Sequence, residues 1–248
     1  MPHFPFQRLQ ADLSALIARM PAGTRLPSEP DLAADLGVSR ATLREAMRTF
    51  ETQGLIRRRQ GAGTFVVGKP PVIESGLEVL ESMLTLARRT GLNVGPGPTV
   101  IEQVLADKES AVALGVPEGT CLVRVSRTMR AESRPVAYLI DTLPEDVLQA
   151  EDLTTKFNGS VLDYLLQRGD PLVTSRAEIT ATNAGADVAK MLEIQRGDVL
   201  LKLMANLYTA SGRVVDFSHS YFLPGYFRFH VVRKVGGTVI SNQYPGFG

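Results

Sequence analysis

The sequence predicts an α+β protein of two modules. The first is a small helical unit closed by a β-hairpin, and the second is a larger, mainly antiparallel sheet carrying helices. Three observations predict this. A chain of 248 residues with 44% hydrophobic and 21% charged residues is long enough to bury two cores. Apolar spacings of three and four give way after Gly54 to β-prone runs around glycines. Pro70 and Pro71 then stiffen a stretch that neither pattern continues. The boundaries that follow are 1–68 for the first module, 69–76 for a linker and 77–248 for the second module.

Charge separates the same modules. Residues 1–70 hold ten Lys and Arg against six Asp and Glu, whereas the remainder holds 17 against 20. A basic module joined to a mildly acidic one points to a polyanionic partner for the basic half. The single cysteine, Cys121, has no intramolecular disulfide partner, and the segment from Met1 to Leu9 carries His3, Gln7 and Arg8 where a leader would be apolar. No apolar run is long enough for a transmembrane helix. The expectation is a cytoplasmic protein without membrane function.

In the N-terminal module, Phe6, Leu9, Leu13, Leu16, Ile17 and Met20 form the stripe of a helix packed on one side, stopped by Pro21-Ala22-Gly23. Ser28-Glu29-Pro30-Asp31 fits a capping box with proline in the first turn, so a short helix runs to Leu36. Gly37 permits the turn, Val38 plugs the gap and Ser39 caps a further helix from Arg40 to Thr52. In that helix Leu43, Ala46, Met47 and Phe50 face inward. Arg40, Arg44 and Arg48 recur every four residues, drifting about 40° per step, and are expected to share one exposed face.

After Gly54, the runs Leu55–Arg59 and Thr64–Val67 bracket Gln60-Gly61-Ala62-Gly63, which predicts a hairpin with a slim tip. Two helices joined by a short turn and followed by a hairpin make a winged helix-turn-helix. Arg40 and Thr42 fall in the first turn of the second helix, where such helices meet base edges.

The segments Leu26-Pro27-Ser28-Glu29, Leu36 to Ala46, Gly54-Leu55-Ile56 and Gln60 to Val66 closely resemble the DNA-binding domain of GntR-family transcriptional regulators. That resemblance implies that Arg40, Thr42 and Arg44 read or flank operator bases and that Gln60, Gly61 and Gly63 form the wing contact. Ser28, Glu29, Ser39, Arg48 and Thr64 complete the expected DNA-facing set. Pro30 departs from the arginine usual in the family after Pro-Ser-Glu. Gly63 to Lys69 also matches half of a phosphate-binding loop, but Pro70 replaces the hydroxyl residue that would hold magnesium, so nucleotide binding is not expected.

The second module predicts a helix from Leu77 to Arg89, then the stretch Gly95-Pro96-Gly97-Pro98. Beyond it lies a weak repeat at an offset of 78 residues: Ala111, Leu114, Gly119, Leu122 and Val123 recur as Ala189, Leu192, Gly197, Leu200 and Leu201. Each copy reads as helix, glycine turn, strand, turn, strand, and two such units are most economically joined in one sheet with helices against it.

This order resembles the UTRA effector-binding domain of the HutC subfamily, whose fold is similar to that of chorismate lyase. The resemblance implies that Arg127, Ser160 and Asp216 bind an effector. Met129, Leu162 and Leu139-Ile140 stand where members that bind sugar phosphates carry a second arginine, a tyrosine and a glutamate. One guanidinium lacks the complementarity of two, so a less charged, more apolar effector is expected.

The implied function is a ligand-responsive repressor that binds double-stranded, palindromic operator DNA as a homodimer, without cofactor or metal. The alternative is a small-molecule-binding or lyase-like enzyme whose N-terminal module reads no DNA. His3, His219 and His230 lack metal-ligand spacing, and Cys121 carries no sign of activation. Phe222, Phe227 and Phe229 read as core.

Overall fold

The computed structural model describes residues 5–59, 61–67, 73–89, 93–131, 134–153 and 157–231. Three helices open the chain: α1 (Pro5–Arg19), α2 (Glu29–Asp35) and α3 (Arg40–Thr52). They bury Leu9, Leu13 and Ile17 from α1, Leu32 and Ala33 from α2, and Leu43, Ala46, Met47 and Phe50 from α3 in one core. Ser28 and Ser39 cap α2 and α3, their hydroxyls accepting from the amides of Asp31 at 3.4 Å and Thr42 at 3.1 Å. Each such cap stabilises its helix by about 1 kcal/mol. The Asp31 carboxylate turns back to accept from the Ser28 hydroxyl at 2.5 Å.

Strands β1 (Ile56–Arg59) and β2 (Gly63–Val66) pair antiparallel, Ile56 opposite Val66. The chain between α1 and α2 adds a third, unexpected edge. Gly23 N donates to Val66 O at 2.7 Å, Val66 N to Thr24 O at 2.8 Å and Leu26 N to Thr64 O at 2.8 Å. Thr64, expected to face DNA, lies in the middle of this ribbon and is only 8% exposed.

The second module continues with β3 (Ile73–Gly76), α4 (Met83–Arg89), β4 (Val94–Leu105), α5 (Lys108–Leu114), β5 (Cys121–Ala131) and β6 (Arg134–Pro144). After a 3-10 turn at Ala150–Asp152 come α6 (Val161–Arg168), β7 (Leu172–Asn183), α7 (Ala186–Leu192), β8 (Val199–Thr209), β9 (Val214–Phe222) and β10 (Phe227–His230). Six strands form one sheet in the order β4-β5-β6-β9-β8-β7, every adjacent pair antiparallel. A parallel pair of β3 with β10 stands beside it. The last four residues of the expected linker, 73–76, are therefore strand.

The repeat is larger than its sequence trace. Its units are β4-α5-β5-β6 and β7-α7-β8-β9, and they meet at the central β6–β9 pair. Their turns match bond for bond. Ala106 N donates to Thr120 O at 2.8 Å as Ala184 N does to Asp198 O at 2.8 Å, and Gly119 N to Ala106 O at 2.8 Å as Gly197 N does to Ala184 O at 2.9 Å.

Two local expectations are corrected. The Gly-Pro stretch 95–98 lies inside β4, whose ladder slips between Pro96 and Thr99, and Gly97 leaves room for Thr128 across the strand pair. The helix expected from Leu77 begins at Met83, because Ser82 accepts from Thr85 N at 3.0 Å and so sets the start. No helix among the described residues is long and apolar enough to cross a membrane.

Candidate functional site

The first turn of α3 presents its polar groups outward because the inward stripe starts only at Leu43. Arg40 and Arg44 are exposed, Thr42 is half-buried, and the Ser39 and Thr42 hydroxyls lie 2.8 Å apart. Glu29, at the start of α2, faces this turn. Its carboxylate takes Arg44 Nε on Oε2 at 2.5 Å and Arg58 Nη2 on Oε1 at 3.1 Å, so one acid ties α3 to β1.

Gly61 and Gly63 hold φ values of 74° and 109°, a region side chains disfavour. A Cβ at Gly63 would stand 2.6 Å from Arg25 Nε, which places the exposed Arg25 against the wing. Arg59 lies over the Phe65 ring at 5.3 Å. Gln60, also expected at the wing, falls outside the described residues.

Arg48 departs from its expected place on the exposed face. Its Nε donates to Asp198 Oδ1 at 2.9 Å and its Nη1 to Gln195 Oε1 at 2.7 Å, so the guanidinium serves the junction between the modules. Drift along the helix explains this: each four-residue step turns the side chain further, and by Arg48 it faces the turn between α7 and β8. Thr52 Oγ1 also donates to Asp198 Oδ2, at 3.4 Å, and Arg134 Nη1 donates to Glu51 O at 2.9 Å. A Cβ at Gly54 would meet the Tyr226 ring at 2.7 Å, so glycine there permits close seating.

The second module holds a cavity of 510 Å³ on one sheet face. Strand alternation supplies its floor: Arg127 pairs with Leu139, Asp141 with Ser218, and Asp216 with Leu207, so these side chains project to the same side. Residues 76–84 and the start of α6 cover it. Asp163 joins these two covers, accepting from Ser82 Oγ at 2.6 Å and Thr85 Oγ1 at 3.1 Å. Ser160 lines the cavity and caps α6, its hydroxyl accepting from Asp163 N at 3.1 Å.

The three residues expected to contact an effector, Arg127, Ser160 and Asp216, all border this cavity. Arg127 Nη1 donates to Asp141 Oδ2, and Nε donates to Gly159 O at 2.6 Å. Burial, with Asp141 beside it, holds the Asp216 carboxyl well above the usual carboxylate range, against the opposing pull of Arg127. Met129 sits in the core at 1% exposed, while Leu139 and Leu162 give the cavity apolar walls.

Residues 93–228 match the UTRA domain, and residues 6–66 match the bacterial regulatory proteins of the gntR family. The chain belongs to the GntR family. Among its relatives within this family are the histidine utilization repressor of Pseudomonas aeruginosa, 30% identical over 83% of this chain and 80% of that one. Another is the repressor NagR of Bacillus subtilis, 28% identical over 79% and 80%. The crystal structure of PhnF from Mycobacterium smegmatis shares the fold with a TM-score of 0.63 at 22% identity, covering 92% of this chain and 100% of that one.

The chain is thus a GntR regulator of the HutC type, an α+β protein with a helix-turn-helix DNA-binding domain and an effector-binding UTRA domain. Its family consists of transcriptional regulators, not enzymes. Sequence reasoning missed Asp141, which supplies an acid near the position where glutamate is common. The signal was present: Asp141 has the parity of Leu139 and Leu143, so an acid sat on an inward-facing register. It also missed Arg25 and Asp198, whose roles arise from contacts distant in the chain.

Proposed function

We propose that this regulator is a cytoplasmic repressor that grips double-stranded, palindromic operator DNA as a homodimer and lets go when a small metabolite enters the UTRA cavity. The observation that carries the reading is the first turn of α3, where Arg40 and Arg44 are exposed and Glu29 ties Arg44 to Arg58 at the base of a wing that turns on Gly61 and Gly63. Ser28, Ser39, Gly61 and Gly63 would add backbone and phosphate contacts around that turn. Glu29 would orient the arginines rather than touch DNA, since its carboxylate is held by Arg44 and Arg58. Arg48 and Thr64 leave the DNA-facing set.

Exposed apolar side chains on the two edge strands, Val100 and Leu105 of β4 and Val173 and Ile179 of β7, support association of two copies. The paired state of Arg127 supports an effector less charged than a sugar phosphate. Fluorescence anisotropy on DNA flanking the chain's own gene tests the DNA reading. Arg44→Ala is expected to weaken operator binding by about 1–3 kcal/mol at physiological salt. Unchanged affinity would remove α3 as the reader.

A further inference from the structure

One guanidinium and four carboxylates, those of Glu78, Glu81, Asp141 and Asp216, line the UTRA cavity. Asp141 already offsets the positive charge of Arg127, whose side chain is 7% exposed. Asp216 is differently placed. It is 7% exposed, and among the described residues its Oδ1 is a buried oxygen with no hydrogen-bond donor, on the cavity wall. Asp216 otherwise meets the Asp141 carboxyl and feels Arg127, a charge that Asp141 already offsets, so a ligand that brings a positive charge of its own to Oδ1 stabilises the ionised carboxylate. An anionic ligand would instead meet Asp141 and Asp216 with the guanidinium already engaged. Leu139, Leu162, Leu203 and Phe222 contribute apolar surface for the rest of the ligand.

We propose that the cavity binds a small organic cation, an apolar body bearing one protonated amine or amidinium, with its nitrogen on the Asp216 carboxylate. This rests on the reading of the cavity as the effector site and adds the charge class of the occupant. Arg127 on β5 and Asp141 on β6 face Asp216, and Glu78 and Glu81 lie on the covering segment. Asp141 and Asp216 face the single guanidinium of Arg127, so a further positive charge at Oδ1 is favoured. Burial and Asp141 together raise the Asp216 carboxyl, and an ammonium at Oδ1 draws it back to its ionised form.

The test is thermal shift and calorimetry on the full chain with cyclohexylammonium, its isosteres cyclohexanol and cyclohexanecarboxylate, and glucose 6-phosphate. Cyclohexylammonium is expected to bind most tightly, and Asp216→Asn to weaken it about tenfold or more by removing the charge-assisted bond. Leu203→Trp, which fills the cavity, is expected to abolish binding, with circular dichroism checking its fold. Tighter binding of the carboxylate or the sugar phosphate overturns the proposal. So does ammonium binding that survives Asp216→Asn, or none at millimolar concentration.

Operator anisotropy in the same samples separates the two readings. An anion that binds the cavity and releases DNA keeps the effector site and defeats the cation assignment. An ammonium that binds the cavity without changing operator affinity does the reverse.

Discussion

Glu29 and Asp216 are both carboxylates in contact with the working surfaces, yet their surroundings give them opposite consequences. Glu29 is satisfied twice over by Arg44 and Arg58, so removing its charge releases two guanidiniums toward solvent. Glu29→Gln is therefore expected to raise non-specific DNA affinity and to steepen the dependence of log K on log salt by roughly one. A slope equal to the parent's would show that the pair does not restrain the arginines. Asp216, by contrast, is buried and proton-seeking. Because its carboxyl is raised in the folded state, the folded chain binds more protons than the unfolded one above the ordinary Asp range. Stability then falls as pH rises through that window. Asp216→Asn is expected to be more stable than the parent, by about 1 kcal/mol or a Tm rise of ~2–4 °C, and the gain should grow from pH 4 to neutral. A gain independent of pH would contradict the assignment.

At the level of elements, the repeat is a natural experiment. Helix α5 ends in the left-handed Gly115 at φ 68°, and α7 ends 78 residues later in Glu193 at φ 55°, the one non-glycine with positive φ among the described residues. Nothing lies within 4 Å of a Cβ built at Gly115, so only backbone preference is at stake. Gly115→Ala is expected to cost about 1–2 kcal/mol, read as a fall in thermal midpoint; no change would mean that this turn tolerates strain freely. Glu193 also explains what was legible in the sequence. The glycines and apolar positions of each turn carried the repeat. Its leading strands β4 and β7 did not, because the prolines of β4 imitate a loop and β7, an edge strand exposed along most of its length, lacks alternation. The caps at Ser28 and Ser39 were readable because both partners lie three residues apart. The pairing of β3 with β10 was not, since it joins residues some 150 apart and no local pattern announces it.

For the molecule as a whole, the junction between the modules joins the helix of the DNA-reading turn to the UTRA domain. Arg48 lies on the helix that carries Arg40 and Arg44, and it is held by Asp198 and Gln195 at the turn between α7 and β8, an element of the UTRA domain. The same Asp198 accepts from Thr52 and from Gln195 N, so its carboxylate ties α3 and the turn together. While Arg48 is so held, it is withdrawn from any phosphate, and α3 is fixed relative to the sheet. The arrangement therefore favours one pose of the DNA-binding domain, and DNA that prefers another must break the contact first. Asp198→Asn keeps an acceptor for the turn but removes the charge that retains Arg48. It is expected to raise operator affinity by about 5-fold or more, the lower end of ordinary allosteric coupling, and to weaken the effector's influence on DNA by a similar factor. The measurement is operator anisotropy with and without a cavity ligand. Because linkage is reciprocal, the variant's ligand affinity should also respond less to added operator. An Asp198→Asn chain that binds operator as the parent does, with coupling intact, would make this contact a passive part of the packing and place the communication elsewhere along the junction, at Arg134 and Tyr226.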